Sequence, residues 1–311
     1  MNVTYKSDRI FQTISHIVLV IFSFVCLFPF ALMLISSFSS EASITKYGYS
    51  IFPREWSLEA YAYIAREWRQ IGQAYATTIS VTLVGTLLGV FMTMTLAYLI
   101  SRRDLPGRKF LNIFVIVTML YNGGLVPTYI MYTNYFHIKN TYMALLIPSL
   151  MLNAFYIMIT RSYIQSNIPE ELVEACRIDG ASETKIFWKM VLPLSKPIFV
   201  TLVLFIGIGY WNDWLNGMYY LTEPKYFSIQ NLLNKMLNNV NFLATNSTVA
   251  AQAGNVSIPS ITIRMAIAMV GILPIIIIYP FLQKYFVKAG MAAPSGMDRR
   301  PWEFVVVTDR A

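Results

Sequence analysis

The sequence is poor in charge, cysteine and histidine. Of its 311 residues 13% are charged, two are cysteine and two are histidine. The cysteines, Cys26 and Cys176, are too few to build a disulfide framework. The histidines, His16 and His137, stand apart from clustered carboxylates or thiols, so neither metal binding nor acid catalysis by histidine is predicted. The sequence therefore excludes a disulfide-stapled fold and argues against a metalloenzyme.

Two further signals of function are missing. The chain has no G-x-x-x-x-G-K-[ST] phosphate loop, so we expect it to bind no nucleotide itself. The formal charge of +8 does not indicate nucleic acid, because the basic residues follow the pattern of a membrane protein, as described below.

Long apolar runs dominate what remains. The chain is 56% hydrophobic, more than a soluble core of this size could bury. Six stretches reach the roughly 17 to 25 residues that a spanning helix needs: 16–38, 74–100, 109–133, 141–163, 195–222 and 262–286. We predict an all-α membrane protein with six transmembrane helices.

The distribution of basic residues predicts the orientation. Of the 24 Lys and Arg, 16 lie in or beside the first tail, the second and fourth loops and the last tail, and seven lie in the other loops. Positive residues near helix ends tend to remain in the cytoplasm. Both termini are therefore expected to be cytoplasmic, with outer segments at 39–73 and 223–261.

The third span contains helix-breaking residues in its outer half. Asn122, Gly123, Gly124 and Pro127 interrupt the apolar run, and a break inside the bilayer is tolerated only beside protein or a water-filled cavity. The alternative is that these glycines allow close helix packing. For two glycines of the second span, at positions 85 and 89, packing is the favoured interpretation.

A charged insertion at 168–193 separates the fourth and fifth spans. Pro169 is suited to the first turn of a helix, and Glu170 and Glu171 match the helix dipole. Asp179 and Gly180 are expected to end that helix, because glycine readily takes the left-handed conformation.

A second short helix is expected to follow, from Ser182 as its cap to Leu192, with Pro193 stopping it. In the first helix an apolar stripe at Ile168, Leu172 and Ala175 lies beside charged positions. A helix lying on anionic lipid usually has a Lys/Arg-rich polar face, which this acidic one lacks. We therefore predict that the insertion is a docking site for a cytoplasmic partner protein.

The same insertion resembles a known motif, the EAA loop of binding-protein-dependent ABC importer permeases. The matching residues are Glu174, Ala175, Gly180, Leu192 and Pro193. The wider string is similar to the carbohydrate-importer branch related to the maltose-transporter permeases, and GGLVPTY at 123–129 is similar to a complex-oligosaccharide subgroup. The resemblance covers about 75–287; Cys176 replaces the second alanine of the motif and Met190 its usual isoleucine.

The resemblance implies a type I importer fold and a set of partners. These are a second homologous permease, two cytoplasmic ATPase domains that carry ATP and Mg, and an extracytoplasmic solute-binding protein. It also implies location in the bacterial plasma (inner) membrane, no cofactor in this chain, and no enzymatic activity of its own. The residues implied to couple the EAA loop (168–193) to the ATPase are Glu174, Ala175, Cys176, Asp179, Gly180, Leu192 and Pro193.

Polar and aromatic residues inside the spans suggest where substrate passes. Trp211, Asn212, Asp213 and Trp214 lie in the outer half of the fifth span, and an intramembrane carboxylate is a functional hypothesis by default. Aromatic rings, amides and carboxylates suit a sugar. The alternative is an ion pair of Asp213 with Arg264 as a structural lock. A second candidate patch is Tyr121 with Asn122.

The predicted organisation is an N-terminal part (1–73), a permease core (74–288) and a C-terminal tail (289–311). The main hypothesis is a carbohydrate permease of an ABC importer. Two other hypotheses are considered. An ion- or proton-coupled secondary transporter would need an intramembrane ion site and usually paired repeats. A membrane-embedded enzyme would need a catalytic cluster in a loop, and the sequence shows none.

Overall fold

The structure, a computed structural model, describes residues 6–245 and 260–291, with side chains at 11–242 and 261–277. Most of the predicted C-terminal tail and the polar stretch 246–259 lie outside these residues. The described part is helical, with one isolated antiparallel bridge between Ser39 and Trp56.

Fifteen α-helices follow one another in the described residues. In chain order they are α1 (Lys6–Ser37), α2 (Glu41–Tyr47), α3 (Glu59–Arg66), α4 (Trp68–Ser101), α5 (Arg108–Leu120), α6 (Leu125–Ile130), α7 (Met143–Leu146), α8 (Ala154–Asn167), α9 (Glu170–Ile178), α10 (Glu183–Ile186), α11 (Leu192–Leu194), α12 (Lys196–Trp211), α13 (Leu215–Tyr220), α14 (Ile229–Thr245) and α15 (Ser260–Met291). Two π-helical turns, Met131–Tyr135 and Phe187–Val191, follow α6 and α10.

Three helical stretches of the described residues are long and apolar enough to cross a membrane. They are Phe11–Ser37, Trp68–Ser101 and Lys196–Tyr220, which match the predicted first, second and fifth spans. A bent pair, Arg108–Leu120 with Leu125–Tyr135, adds a fourth if it is counted as one span, and Ile261–Ile277 is a shorter apolar helix at the predicted sixth.

The predicted third span, 109–133, is broken between Leu120 and Leu125, which is the first of the two alternatives. The two halves meet at 114°. Gly124 adopts φ +85° and ψ 166°, a region that only glycine enters readily. A Cβ on Gly123 would meet nothing within 4 Å, so close helix packing does not explain that residue. Pro127 lies within α6 rather than at the break.

The predicted fourth span, 141–163, is also interrupted. The short α7 ends before Pro148, Ser149 has a positive φ of 65°, and α8 begins only at Ala154. Proline lacks the amide hydrogen that would continue α7. Asn153 caps α8 by accepting a hydrogen bond from the Phe155 amide at 2.9 Å.

Of the described residues, 6–75, 227–245 and 260–275 form one compact unit. The carboxylate of Glu41 in α2 accepts hydrogen bonds from the backbone amides of Ile261 and Thr262, at 3.0 and 2.9 Å. Those amides lie at the start of α15, where they have no partner within the helix. Glu41 thus ties the outer segment to the last apolar helix.

Of the described residues, 76–226 and 276–291 form the other compact unit. Its described core depends on the close approach of α4 and α12: a Cβ on Gly85 would lie 2.4 Å from the Tyr210 ring, and one on Gly89 would lie 3.2 Å from Ile206. The predicted packing role of both glycines is confirmed. This unit contains the EAA loop and both candidate substrate patches.

Candidate functional site

The first helix of the EAA loop has well-defined ends. Pro169 is the cap rather than the first helical residue as predicted, with ψ 139°, and α9 begins at Glu170. At the other end Gly180 has φ +77°. The amide of Gly180 donates to the Arg177 carbonyl at 2.9 Å, and the amide of Ala181 to the Cys176 carbonyl at 3.0 Å. This pair of bonds is the Schellman motif, and it turns the chain sharply at Gly180.

Much of α9 is exposed. None of its residues is buried, and Leu172 and Ile178 are 42% and 86% exposed. The predicted apolar stripe is therefore divided: Ile168 packs into the protein at 7% exposure, whereas Leu172 and Ala175 remain accessible. Exposed apolar side chains among charged ones, with Glu174 on the surface beside them, form the kind of surface that a protein partner covers.

The second part of the EAA loop continues further than predicted. Ser182 caps α10, accepting a hydrogen bond from the Lys185 amide at 3.4 Å. Pro193 does not stop the helix as expected; it lies in the first turn of α11, directly after the π-helical turn Phe187–Val191. The wider π turn changes the carbonyl alignment that a proline ring would otherwise clash with, so the helical path continues past Pro193 to Leu194.

Four charged side chains link the EAA loop to the loop between α4 and α5. Arg102 binds the carboxylates of both Asp104 and Glu183. Arg177 binds the same two, each at 3.0 Å. We call this set the ion-pair ring. The hydrogen bond from Arg102, with the positive charges of Arg102 and Arg177, lowers the pKa of Asp104 from 3.8 to about 2.

A cavity of about 500 Å³ lies beside the ring. Its lining includes Arg103, Arg108, Glu170 and Glu174 in addition to ring residues. Arg103 forms an ion pair with Glu170 at 3.2 Å, with the arginine side chain 79% exposed. The cavity therefore has walls of both charge signs and is continuous with the exposed face of α9.

The ion-pair ring was not predicted from the sequence. Arg102 and Glu183 are 81 positions apart, and nothing in either segment signals the other. The only signal was local, the sequence SRRDLPG, which indicates a basic cytoplasmic loop.

The candidate patch in the fifth span lies at a break in the helix. α12 ends at Trp211 and α13 begins at Leu215, so Asn212, Asp213 and Trp214 are not part of a continuous helix as predicted. Trp211 is buried, whereas Asn212 and Trp214 are exposed. Asp213 accepts a hydrogen bond from the Asn216 amide at 3.2 Å, which caps the start of α13.

Side chains next to this patch donate hydrogen bonds to backbone carbonyls at the break in the fourth span. The Tyr210 hydroxyl donates to the Leu146 carbonyl at 2.8 Å, and the Asn216 side-chain amide donates to the Pro148 carbonyl at 3.0 Å. These carbonyls would otherwise lack partners in the interior. Part of the polar chemistry around 210–216 is therefore structural.

Tyr121 and Asn122 lie at the other break, between α5 and α6. Tyr121 is 76% exposed. The Asn122 side chain accepts a hydrogen bond from the Gly124 amide at 2.9 Å, which shapes the turn. Beyond the break, Tyr129 stacks on Tyr220 with ring centroids 5.7 Å apart; Tyr220 is buried and packs rather than offering its ring to a ligand.

Comparison with known proteins gives consistent results. Residues 85–289 match the family described as "Binding-protein-dependent transport system inner membrane component". The chain is 33% identical to Protein LplC of Bacillus subtilis (strain 168), over 91% of this chain and 94% of that one. It is 32% identical to the polygalacturonan/rhamnogalacturonan transport system permease protein YtcP of the same organism, over 91% and 97%.

A solved structure is similar over nearly the whole chain. It is the crystal structure of a bacterial ABC transporter involved in the import of the acidic polysaccharide alginate, with a TM-score of 0.76 and 30% identity over 92% of this chain and all of that one. This similarity confirms the predicted type I permease fold. It supports the ABC importer and not the alternative, a secondary transporter. The chain belongs to the family of inner membrane components of binding-protein-dependent transport systems, as a multi-pass permease subunit of an ABC importer whose ATPase is a separate subunit.

Proposed function

We propose that this chain is one of two homologous permeases in an importer for oligosaccharides. The complete assembly would contain the second permease, two cytoplasmic ATPase domains with bound ATP and Mg, and an extracytoplasmic binding protein that delivers the sugar. This chain would bind no cofactor. Both of its termini would face the cytoplasm, as the distribution of Lys and Arg indicates.

The observation that carries the proposal is the exposed face of α9 in a chain of this family. A short helix with Leu172 and Ile178 accessible, held at a defined angle by the turn at Gly180, is suited to fit a groove in a partner. Glu174 adds a charge to that face. We assign contact with the ATPase to Glu174, Ala175, Cys176 and Asp179, and the angle of the joint to Gly180.

The same loop would carry the movement. Closure of the ATPase domains around ATP would displace α9, and the helical path through α10 and α11 into α12 would transmit the displacement to the bundle. Leu192 and Pro193 belong to this path and do not contact the ATPase in our proposal. The bundle would then alternate between inward-facing and outward-facing states.

The sugar class is supported by the relatives. One is named for polygalacturonan and rhamnogalacturonan, another for melibiose, raffinose and stachyose, and the solved transporter for alginate. Of the candidate path residues, we expect Asn212, Trp214, Tyr121 and Asn122 to reach the sugar because they are exposed. Trp211 and Asp213 would shape the break in the helix instead.

Glu174→Lys tests the docking surface. The importer is purified in mild detergent through a tag on this chain, and the amount of ATPase that comes with it is measured. We expect Glu174→Lys to lose most of the ATPase while the helical content is unchanged; Glu59→Lys, an exposed carboxylate of α3, is the control. Full recovery of ATPase with Glu174→Lys would reject the assignment of this face.

Uptake into proteoliposomes tests the substrate. The complete importer is supplied with binding protein, ATP and either neutral or uronate-containing oligosaccharides. Trp214→Ala is expected to weaken uptake at low sugar concentration more than Leu215→Ala, the change at the next, similarly exposed position. If the importer takes up neither class of oligosaccharide in the presence of ATP, the proposed substrate is rejected.

A further inference from the structure

The ion-pair ring holds two loops together on one side of the permease. Arg102 and Asp104 follow α4, whereas Arg177 closes α9 and Glu183 opens α10. Each arginine contacts both carboxylates. The four charges therefore alternate in sign around the ring, and each residue has two oppositely charged partners.

The ring differs from an ordinary surface ion pair. The Arg102 side chain is 15% exposed and that of Arg177 is 32% exposed, so both guanidinium groups are partly withdrawn from water. Isolated exposed pairs contribute little to stability, whereas networks of arginine and carboxylate contribute more and fix geometry. The exposed pair of Arg103 with Glu170 provides the contrast within the same region.

Neutral side chains add further contacts beside the ring. The Tyr98 hydroxyl, near the end of α4, donates to Glu183 at 3.2 Å, and the Tyr98 ring lies 5.6 Å from the ring of Phe187. The Gln165 amide donates to the Ser101 carbonyl at 2.9 Å. The end of α4 is thus attached to the EAA loop through Tyr98 as well as through the ring, and to α8 through Gln165.

We propose that Arg102 and Arg177 are positioning residues that make α4 follow the EAA loop during transport. α4 is 34 residues long, is long and apolar enough to cross a membrane, and ends at Ser101 next to the ring. A displacement of α9 and α10 would therefore reach the bundle by two routes, through α12 along the chain and through the ring into α4. The inference rests on the proposed function, because it assigns the ring a role in the coupling step.

The ring and the docking face have separate roles in this proposal. Glu174 would contact the ATPase, whereas Arg177, one turn later on α9, is engaged with Asp104 and Glu183 inside the permease. Changes in the ring should leave the ATPase attached and reduce how effectively its movement is used. This difference separates a failure of the inference from a failure of the proposed function.

The test uses the complete importer in proteoliposomes and measures sugar uptake and ATP hydrolysis together. We expect Arg102→Gln and Arg177→Gln to retain the ATPase and to raise the ATP consumed per sugar several-fold. Arg102→Gln combined with Glu183→Gln should be no worse than either change alone, because each opens the same ring. Arg103→Gln removes a nearby positive charge outside the ring and is expected to leave the ratio unchanged.

Either of two results with Arg177→Gln would overturn the proposal. An unchanged ratio in Arg177→Gln would show that the ring does not transmit movement. Loss of the ATPase from Arg177→Gln would make the ring part of the docking surface instead. If Arg177→Gln does not fold, Arg177→Lys keeps the charge without the planar fork of donors and is expected to give an intermediate ratio; a native ratio would equally overturn the proposal.

A distance measurement provides a second readout. Spin-labelled non-natural amino acids are introduced at Pro106 in the loop after α4 and at Thr184 in α10, so that Cys176 of the docking face remains unchanged. We expect the distance between the labels to be the same with and without ATP, because the two segments move together. Adding Arg177→Gln should make this distance depend on ATP; a distance that changes with ATP while the ring is intact would contradict the proposal.

Discussion

The sulfur atoms of Cys176 and Met190 lie 3.4 Å apart. Both residues depart from the pattern of the EAA loop that the sequence resembles, where alanine and isoleucine are usual. In the structure these two residues contact each other, which joins α9 to the π-helical turn at Phe187–Val191. Polarisable sulfur and a flexible methionine fill such a gap well.

We expect Cys176→Ala and Met190→Ile to compensate each other. Cys176→Ala alone leaves a small void and should cost about 1 kcal/mol or less in the free energy of unfolding. The double variant should cost less than the sum of the single variants. Thermal unfolding of the purified chain measures this, with exposed Cys26→Ala as the control; strictly additive costs would show that the contact carries no coupling.

A methyl group at Gly85 should be destabilising. Its Cβ would lie 2.4 Å from the Tyr210 ring, which is 2% exposed and held by its hydroxyl at the Leu146 carbonyl. We expect Gly85→Ala to cost about 1–3 kcal/mol through overpacking. Gly72→Ala in the same helix has open space around the new atom and should be neutral or stabilising, since alanine favours helix. Equal melting temperatures for the two variants would refute the close approach.

Gly180 is expected to be needed for its backbone conformation and not for space. A Cβ there would meet nothing within 4 Å, but φ is +77°. Gly180→Val should therefore reduce recovery of the ATPase and sugar uptake, because a β-branched residue is strained in that region. Gly180→Asn should be much milder, since asparagine tolerates the left-handed conformation. Uptake that is equal in the two variants would show that the Schellman turn does not set the joint.

Local signals predicted the parts of this fold that depend on local chemistry. Gly180 and Ser182 marked the end of one helix and the start of the next, and Gly85 marked a close approach, as found. Pro193 was misread because a proline rule cannot anticipate that the preceding turn widens to a π-helix. The break near Ser149 was missed because a long apolar run conceals it.

Contacts between distant segments could not be predicted in the same way. The arginines of the loop after α4 are explained in the sequence by membrane orientation alone. Their attachment to Glu183 depends on how α4 and the EAA loop pack, which one sequence does not encode in a readable pattern. Asp213 shows the opposite: the sequence marks it as a functional candidate, whereas in the structure its carboxylate accepts a hydrogen bond at the start of α13.

Adjacent glycines at the break of the third span provide a matched pair. Gly124 has φ +85° and ψ 166°, whereas Gly123 has open space and no positive φ. We expect Gly124→Ala to cost about 1–3 kcal/mol, because that region is almost restricted to glycine. Gly123→Ala should have little effect. Thermal unfolding and uptake check both; tolerance of Gly124→Ala would mean that the bend between α5 and α6 forms without this conformation.

The stabilisation contributed by Asp104 should be lost only in strong acid. Its pKa is lowered from 3.8 to about 2 in the folded chain, so the ionised form favours folding. The contribution is fully present above about pH 4 and disappears as the pH falls through about 2.

Asp104→Asn is therefore expected to lower the melting temperature by a constant amount between pH 5 and pH 8. As the pH falls from 4 towards 2, the difference between Asp104→Asn and the unchanged chain should shrink, because Asp104 itself becomes neutral. Melting curves in detergent across this range measure the difference, with Glu59→Gln as a control outside the ring. A difference that is undiminished at pH 2 would show that the loss in Asp104→Asn arises from altered packing rather than from the charge that Arg102 and Arg177 share.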